Sequence, residues 1–285
     1  MLPIVAIALA VALAAWASAR TGEVIEQHRE EERGEPPAPS EAAPSDAGIA
    51  EPSRLAPDGA VIEAPQDTEY ACLQPALEVP QEPACARGAP YPRCRWQLPE
   101  ARDANGLYRV WRNTTPEHRW ARPGLVSLVL ATAREYAARW PDERLTIGDL
   151  DAAGPRHQTH DRGVDVDLYL ERSMLDVNAG GGRYVDNYEG RDAHEVELMR
   201  ARVSDLARIL GRCSQGRLRI YYNDPVVVDA FVRWFAAQGL VSDVGPAMMM
   251  HNRLHRFHFH MTVAEDLAPL PVEGRGEGRA AAGDR

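Results

Sequence analysis

Lysine is absent from the chain, and all 32 basic residues are arginine. Without lysine, and without any run of basic residues, the composition reflects coding bias rather than a basic groove, so nucleic acid is excluded as a partner. Aromatic residues are scarce at 7%, while apolar residues make up 45%. A core is therefore within reach, but fibrous, collagen-like and multi-span membrane classes are not. No internal repeat occurs. The four cysteines, Cys72, Cys85, Cys94 and Cys213, lack C-x-x-C spacing. An even number without that spacing reads as two disulfides in an oxidising compartment. Three pairings are open. Three of the four precede residue 95, so at least one bridge is expected within that arm, and the partner of Cys213 is left unassigned.

Charge is unevenly spread. The net charge is -10, and residues 20 to 70 hold thirteen Asp or Glu against four Arg, a net of -9. Residues 2 to 16, LPIVAIALAVALAAW, are an unbroken apolar stretch followed by Ala17-Ser18-Ala19, a small-x-small cleavage site. They read as residues 1–19 of a signal peptide, or as an uncleaved membrane anchor because no Lys or Arg precedes the stretch. Either reading puts the remainder in the periplasm or otherwise outside the cytoplasm, with a membrane partner only if the segment is an anchor. Residues 20–68 are rich in Glu, Pro, Ala and Ser and read as a disordered, acidic, self-repelling linker. Residues 269–285, rich in Gly, read as a disordered tail. The folded domain is expected over 69–268.

Within it, Pro123 opens a helix that Pro141 ends, and Asp192 with Glu195 forms a capping-box start for a second helix running to Gly211. Asp224-Pro225 opens a third helix, apolar at Val226, Val227, Ala230, Phe231 and Phe235 and closed by Gly239. Strands are expected at 144 to 150, at 164 to 170, in RLRIYYN and in FHFHMTV. This mixture predicts an α+β fold, a small antiparallel sheet with flanking helices.

Six of the nine histidines fall in two windows. The first, RHQTHDRGVDVDLYL, holds His157 and His160, with Asp165 and Asp167 on one face of the strand that follows. The second, HNRLHRFHFHMTV, holds His251, His255, His258 and His260. Side chains two apart on a strand share a face and start about 6.5 to 7 Å apart, so His258 and His260 can reach a common centre. Two imidazoles and a carboxylate from separate segments are the ligand set of a catalytic zinc, which keeps a fourth position for water. A spare histidine beside the metal suits proton transfer or oxyanion stabilisation, and a leftover acid suits orientation of a ligand imidazole. His251 is left unassigned, and His28 and His118 are read as incidental.

The segment from Arg109 to Val263 resembles the penicillin-insensitive murein endopeptidases, zinc peptidases of the superfamily that includes lysostaphin-type endopeptidases and D-alanyl-D-alanine peptidases. The likeness lies in LTIGDL, in H-Q-x-H-x-x-G-x-D-V-D and in the closing H-x-x-H-F-H. It implies that His160, Asp167 and His260 bind Zn2+, that His258 is catalytic, and that His157 and His255 are further active-site histidines. Asp165 is expected to orient a ligand. The chain departs from the family in a shorter loop before His157, in Asp161-Arg162 at the mouth of the site, and in its cysteine-bearing 70 to 94 segment. The implied function is hydrolysis of amide bonds in peptidoglycan cross-link peptides by metal-activated water, with peptidoglycan peptides as partners. The absence of an activated Ser or Cys motif agrees with insensitivity to β-lactams, which acylate a nucleophile. Two alternatives stand beside it: a D,D-carboxypeptidase of the same superfamily, against which the absence of Glu between Gly245 and Ala264 counts, and a catalytically inactive peptidoglycan-binding module.

Overall fold

In a computed structural model the described residues are 70–152, 160–174, 188 and 190–274, with backbone alone at 253 and 254. They belong to one compact unit, Ala64–Arg285. The expected leader, the acidic linker and His157 lie outside the described residues.

The elements in chain order are β1 (Trp96–Gln97), β2 (Tyr108–Val110), β3 (Trp120–Ala121), α1 (Pro123–Arg139), β4 (Leu145–Ile147) and β5 (Asp165–Leu170). They continue with α2 (Ala193–Cys213), β6 (Leu218–Tyr221), α3 (Pro225–Ala237), β7 (Met248–Met249) and β8 (Phe259–Val263). The three expected helices form as their caps dictate. The Asp192 carboxylate accepts from the backbone N–H groups of His194 and Glu195, and Asp224 accepts from that of Val226. Among the described residues no helix is long and apolar enough to cross a membrane.

The fold is α+β, but the main sheet is larger and more mixed than expected. Six strands lie in the order β2-β4-β5-β8-β6-β7. The four central strands are mutually antiparallel, whereas β2 and β7 join the two edges in parallel. A second, two-stranded antiparallel sheet pairs β1 with β3. Because strand side chains alternate, the main sheet has two different faces. Val166, Leu168, Phe259, Met261, Leu218, Ile220, Leu145 and Ile147 enter the core cluster with Leu128 of α1, Leu206 of α2 and Phe231 of α3. The opposite face carries Asp165, Asp167, His260 and Thr262, and these polar side chains are buried too. Alternation of apolar and acidic residues in β5 thus marks a strand covered on both sides.

The N-terminal arm and the C-terminal segment wrap this frame. Cys72 bonds Cys213 at the end of α2, and Cys85 bonds Cys94. Residues 269–273, assigned to the tail by composition, are hydrogen-bonded here: Leu270 N donates to Ser127 Oγ at 2.7 Å and Gln74 N to the Pro271 carbonyl at 2.9 Å. A Cβ at Gly124, in the first turn of α1, would sit 1.9 Å from the Leu267 carbonyl oxygen, so only glycine admits that contact. At the far end of the helices the buried Glu143 carboxylate accepts from Tyr136 Oη, Ser173 Oγ and Arg202, joining α1 and α2 to the end of β5.

The two disulfides close loops of very different length, with separations of 141 and 9 residues. Chain-entropy arguments give about 5 kcal/mol for the longer and about 3 kcal/mol for the shorter. The Cys72→Ser/Cys213→Ser protein should therefore unfold at lower urea concentration than the Cys85→Ser/Cys94→Ser protein; the reverse order would contradict this.

Candidate metal centre

Strand register brings the two histidine windows together. Across the β5–β8 ladder Asp167 stands opposite His260 and Asp165 opposite Thr262, and on the other side of β8 Tyr221 of β6 stands opposite His260. His160 arrives from the turn before β5. That turn needs Gly163, whose φ is +62 and whose added Cβ would fall 2.6 Å from the Tyr91 ring. It is also fixed by hydrogen bonds from Arg122 N to the Gly163 carbonyl (3.0 Å) and from Ala152 N to the His160 carbonyl (2.8 Å). Tyr91, inside the loop closed by Cys85 and Cys94, donates from Oη to Asp151 Oδ2, bracing the other end of the same loop.

Three donor atoms converge. His160 Nε2 lies 3.2 Å from His260 Nδ1 and 3.6 Å from Asp167 Oδ1, and His260 Nδ1 lies 3.2 Å from the same Oδ1. All three residues are buried, and together they could hold a metal ion. The outward atoms fix which lone pairs face inward. A carbonyl only accepts, so His160 Nδ1 donates to the Asp149 carbonyl (3.0 Å), leaving the Nε2 lone pair for the centre. His260 Nε2 faces Asp165 Oδ1 at 3.6 Å, and that oxygen accepts from Thr262 Oγ1 at 2.7 Å. Asp165 thus stands beside the outward nitrogen of His260.

Electrostatics in the metal-free state follow from this packing. Burial would raise the Asp167 carboxyl, but the imidazoles of His258, His260 and His160 outweigh it and hold the group far below the usual carboxylate range. Burial pushes His260 down, yet its hydrogen bonds and attraction to Asp165 and Asp167 prevail and raise it to about 9. His255 is lowered to about 2, first by burial and then by His258, His260 and His251.

His258 comes just before β8, with Nε2 3.6 Å from Asp167 Oδ1, and its ring lies 5.1 Å from Tyr169 and 5.3 Å from His255. His255 is also 5.6 Å from His260, centroid to centroid. His251, unassigned from sequence, joins the cluster: its Nδ1 is 3.2 Å from His255 Nδ1 and its ring stacks on Tyr221 at 4.3 Å. Asn223 holds this turn, accepting from His251 N at 2.8 Å and donating from its own N–H to the His255 carbonyl at 2.8 Å. Sequence reasoning missed Asn223, Tyr221 and the Asp149 carbonyl. The period-two pattern of RLRIYYN carried a signal for Tyr221 alone. His118 is less incidental than expected, since its carbonyl accepts from Leu150 N and its Nδ1 lies 3.5 Å from Asp149 Oδ1.

No protein-family model matches the chain, and no curated protein is significantly similar to it.

Two outcomes follow from the geometry. The ordinary histidine value is 6.5 and that of His260 is about 9, so its extra proton stabilises the metal-free fold fully below 6.5, and that contribution fades as pH rises through 9. A cation must displace this proton, so apparent affinity for a divalent metal, read by calorimetric titration, should rise about tenfold per pH unit between pH 6 and 8. A flat profile would contradict displacement of the His260 proton. Gly148 is the second test. A Cβ there would stand 3.0 Å from both Asp167 Cβ and Tyr169 Cε2, so Gly148→Ala should push the carboxylate aside and weaken metal binding about tenfold.

Proposed function

We propose that the chain is an exported zinc metallopeptidase that hydrolyses amide bonds in the peptide cross-links of peptidoglycan. The observation that carries the reading is the convergence of His160, Asp167 and His260, three buried donors from two distant windows, in the motif order that resembles the murein endopeptidases. Zinc suits them. Two nitrogens and one carboxylate oxygen form a common catalytic zinc set, and ligand bonds of about 2.0 to 2.1 Å imply tetrahedral edges of about 3.3 Å. The three donor separations, 3.2, 3.2 and 3.6 Å, bracket that edge. Two disulfides fit an oxidising environment outside the cytoplasm.

A zinc ion held there supplies Lewis acidity, lowering the pKa of a water and polarising the scissile carbonyl. The chain's own groups do the rest. Asp165 and the Asp149 carbonyl keep the two ligand imidazoles in the required tautomers. His258 stands beside the donor group, where its Nε2 can exchange a proton with the attacking water or hydrogen-bond the developing oxyanion. His255, held neutral at ordinary pH, stands beside His258 and His260 as a hydrogen-bonding imidazole. His157 is assigned to the active site by resemblance alone.

Digestion of purified sacculi by the zinc-loaded protein, with mass spectrometry of the products, tests the reading. Conversion of cross-linked dimers to monomers is the expected result. Loss of terminal D-Ala alone would favour the carboxypeptidase, and binding without products would favour the inactive module. His160→Ala and Asp167→Ala should each abolish stoichiometric zinc binding, whereas His258→Ala should retain zinc and lose turnover by about a hundredfold or more. Full activity in the His258 variant would overturn its role.

A further inference from the structure

On the polar face of the sheet the donor group does not stand alone. A row of rings leads from it toward the β2 edge: His258 lies 5.1 Å from Tyr169, and Tyr169 stacks on Trp111 at 4.7 Å with planes 12° apart. Trp111 directly follows β2, where its N–H extends the ladder to the Ile147 carbonyl, and Tyr169 belongs to β5. Between them lies Gly148, at which even a methyl group would meet Tyr169 Cε2 at 3.0 Å. The bare glycine lets the two rings lie over the intervening strand. Both rings are half-buried, each presenting part of its surface to solvent.

The next residue adds charge. Arg112 is exposed, with its guanidinium carbon 5.7 Å from the Trp111 ring centroid. Among the described residues it pairs with no carboxylate. Arg109, three residues earlier and on β2, is already engaged by Glu171. A guanidinium next to an accessible aromatic surface matches a ligand that offers apolar area and a carboxylate together.

We propose that Trp111, Tyr169 and Arg112 form a substrate subsite beside the donor group, which takes a peptide segment bearing a free carboxylate. This rests on the peptidase reading and deepens it: the subsite lies on the His258 side of the centre and selects acidic stem peptides. Tyr169 is both a wall of the subsite and the neighbour of His258, so the tests fall on the two outer residues.

Two probes are used with the zinc-loaded full chain: cross-linked muropeptide dimers with free side-chain carboxylates, and the same dimers with those carboxylates amidated. Steady-state hydrolysis and calorimetric binding at low temperature are measured for the wild type, Arg112→Gln and Trp111→Leu. Zinc affinity of each variant, read with a chromogenic chelator, reports whether the centre is intact. Arg112→Gln should raise KM and Kd about fivefold for the free acid and less than twofold for the amide. Trp111→Leu should weaken both probes about tenfold, with the loss in KM rather than kcat. Equal binding of both probes by all three proteins overturns the subsite, as does a wild type that binds neither. A wild type that binds the probes without cutting them overturns the peptidase reading alone, and the pattern among the variants still decides the subsite.

Discussion

A carboxylate buried among imidazoles is the constraint around which the fold is arranged. Asp167 sits in the middle of the sheet, opposite His260 and within 3.6 Å of both His160 and His258. An ionised carboxylate removed from water costs several kcal/mol unless positive charge or hydrogen bonds offset it. Without a metal the offset comes from the surrounding imidazoles, His258 first and then His260 and His160, and His260 retains its proton to about 9. A divalent cation would supply the same compensation by displacing the His260 proton, so that His260 Nδ1 and His160 Nε2 offer their lone pairs inward. The three buried donors are therefore arranged so that they could hold a metal ion.

The rest of the structure serves to hold that group still. One face of the sheet is packed against three helices, so the strands that carry Asp167 and His260 have a rigid back. His160 lacks such support, because it stands on a turn rather than a strand. Its support comes from Gly163, Arg122 and Tyr91, and Tyr91 belongs to the loop closed by Cys85 and Cys94. The cysteine-bearing arm thus braces the least supported of the three donors. A second brace comes from the Cys72–Cys213 bond, which ties the start of the arm to α2.

Much of the centre was legible in the sequence because its chemistry obeys short-range rules. Period two in β5 put Asp165 and Asp167 on one face, and only His, Asp, Glu and Cys supply such donors. The capped helices were legible for the same reason, since Asp192 and Asp224 act on N–H groups two or three residues away. What stayed hidden depends on distant packing. β1, β3 and β7 are two residues long, too short to show a period. His251 reaches His255 through a single 3-10 turn held by Asn223, and no local pattern encodes that contact. The burial of the acidic face of β5 had no local signal, because two of the histidines that cover it, His258 and His260, lie about ninety residues away. Residues 269–273 have the composition of a tail, yet backbone pairing with Gln74 orders them.

The central claim is that these three side chains form one metal site, and X-ray absorption at the zinc edge on the protein reconstituted with zinc tests it most directly. The account predicts one ion per chain, with two imidazole nitrogens and a carboxylate oxygen at about 2.0 to 2.1 Å. Substoichiometric zinc, or a shell without imidazole scattering, would contradict it.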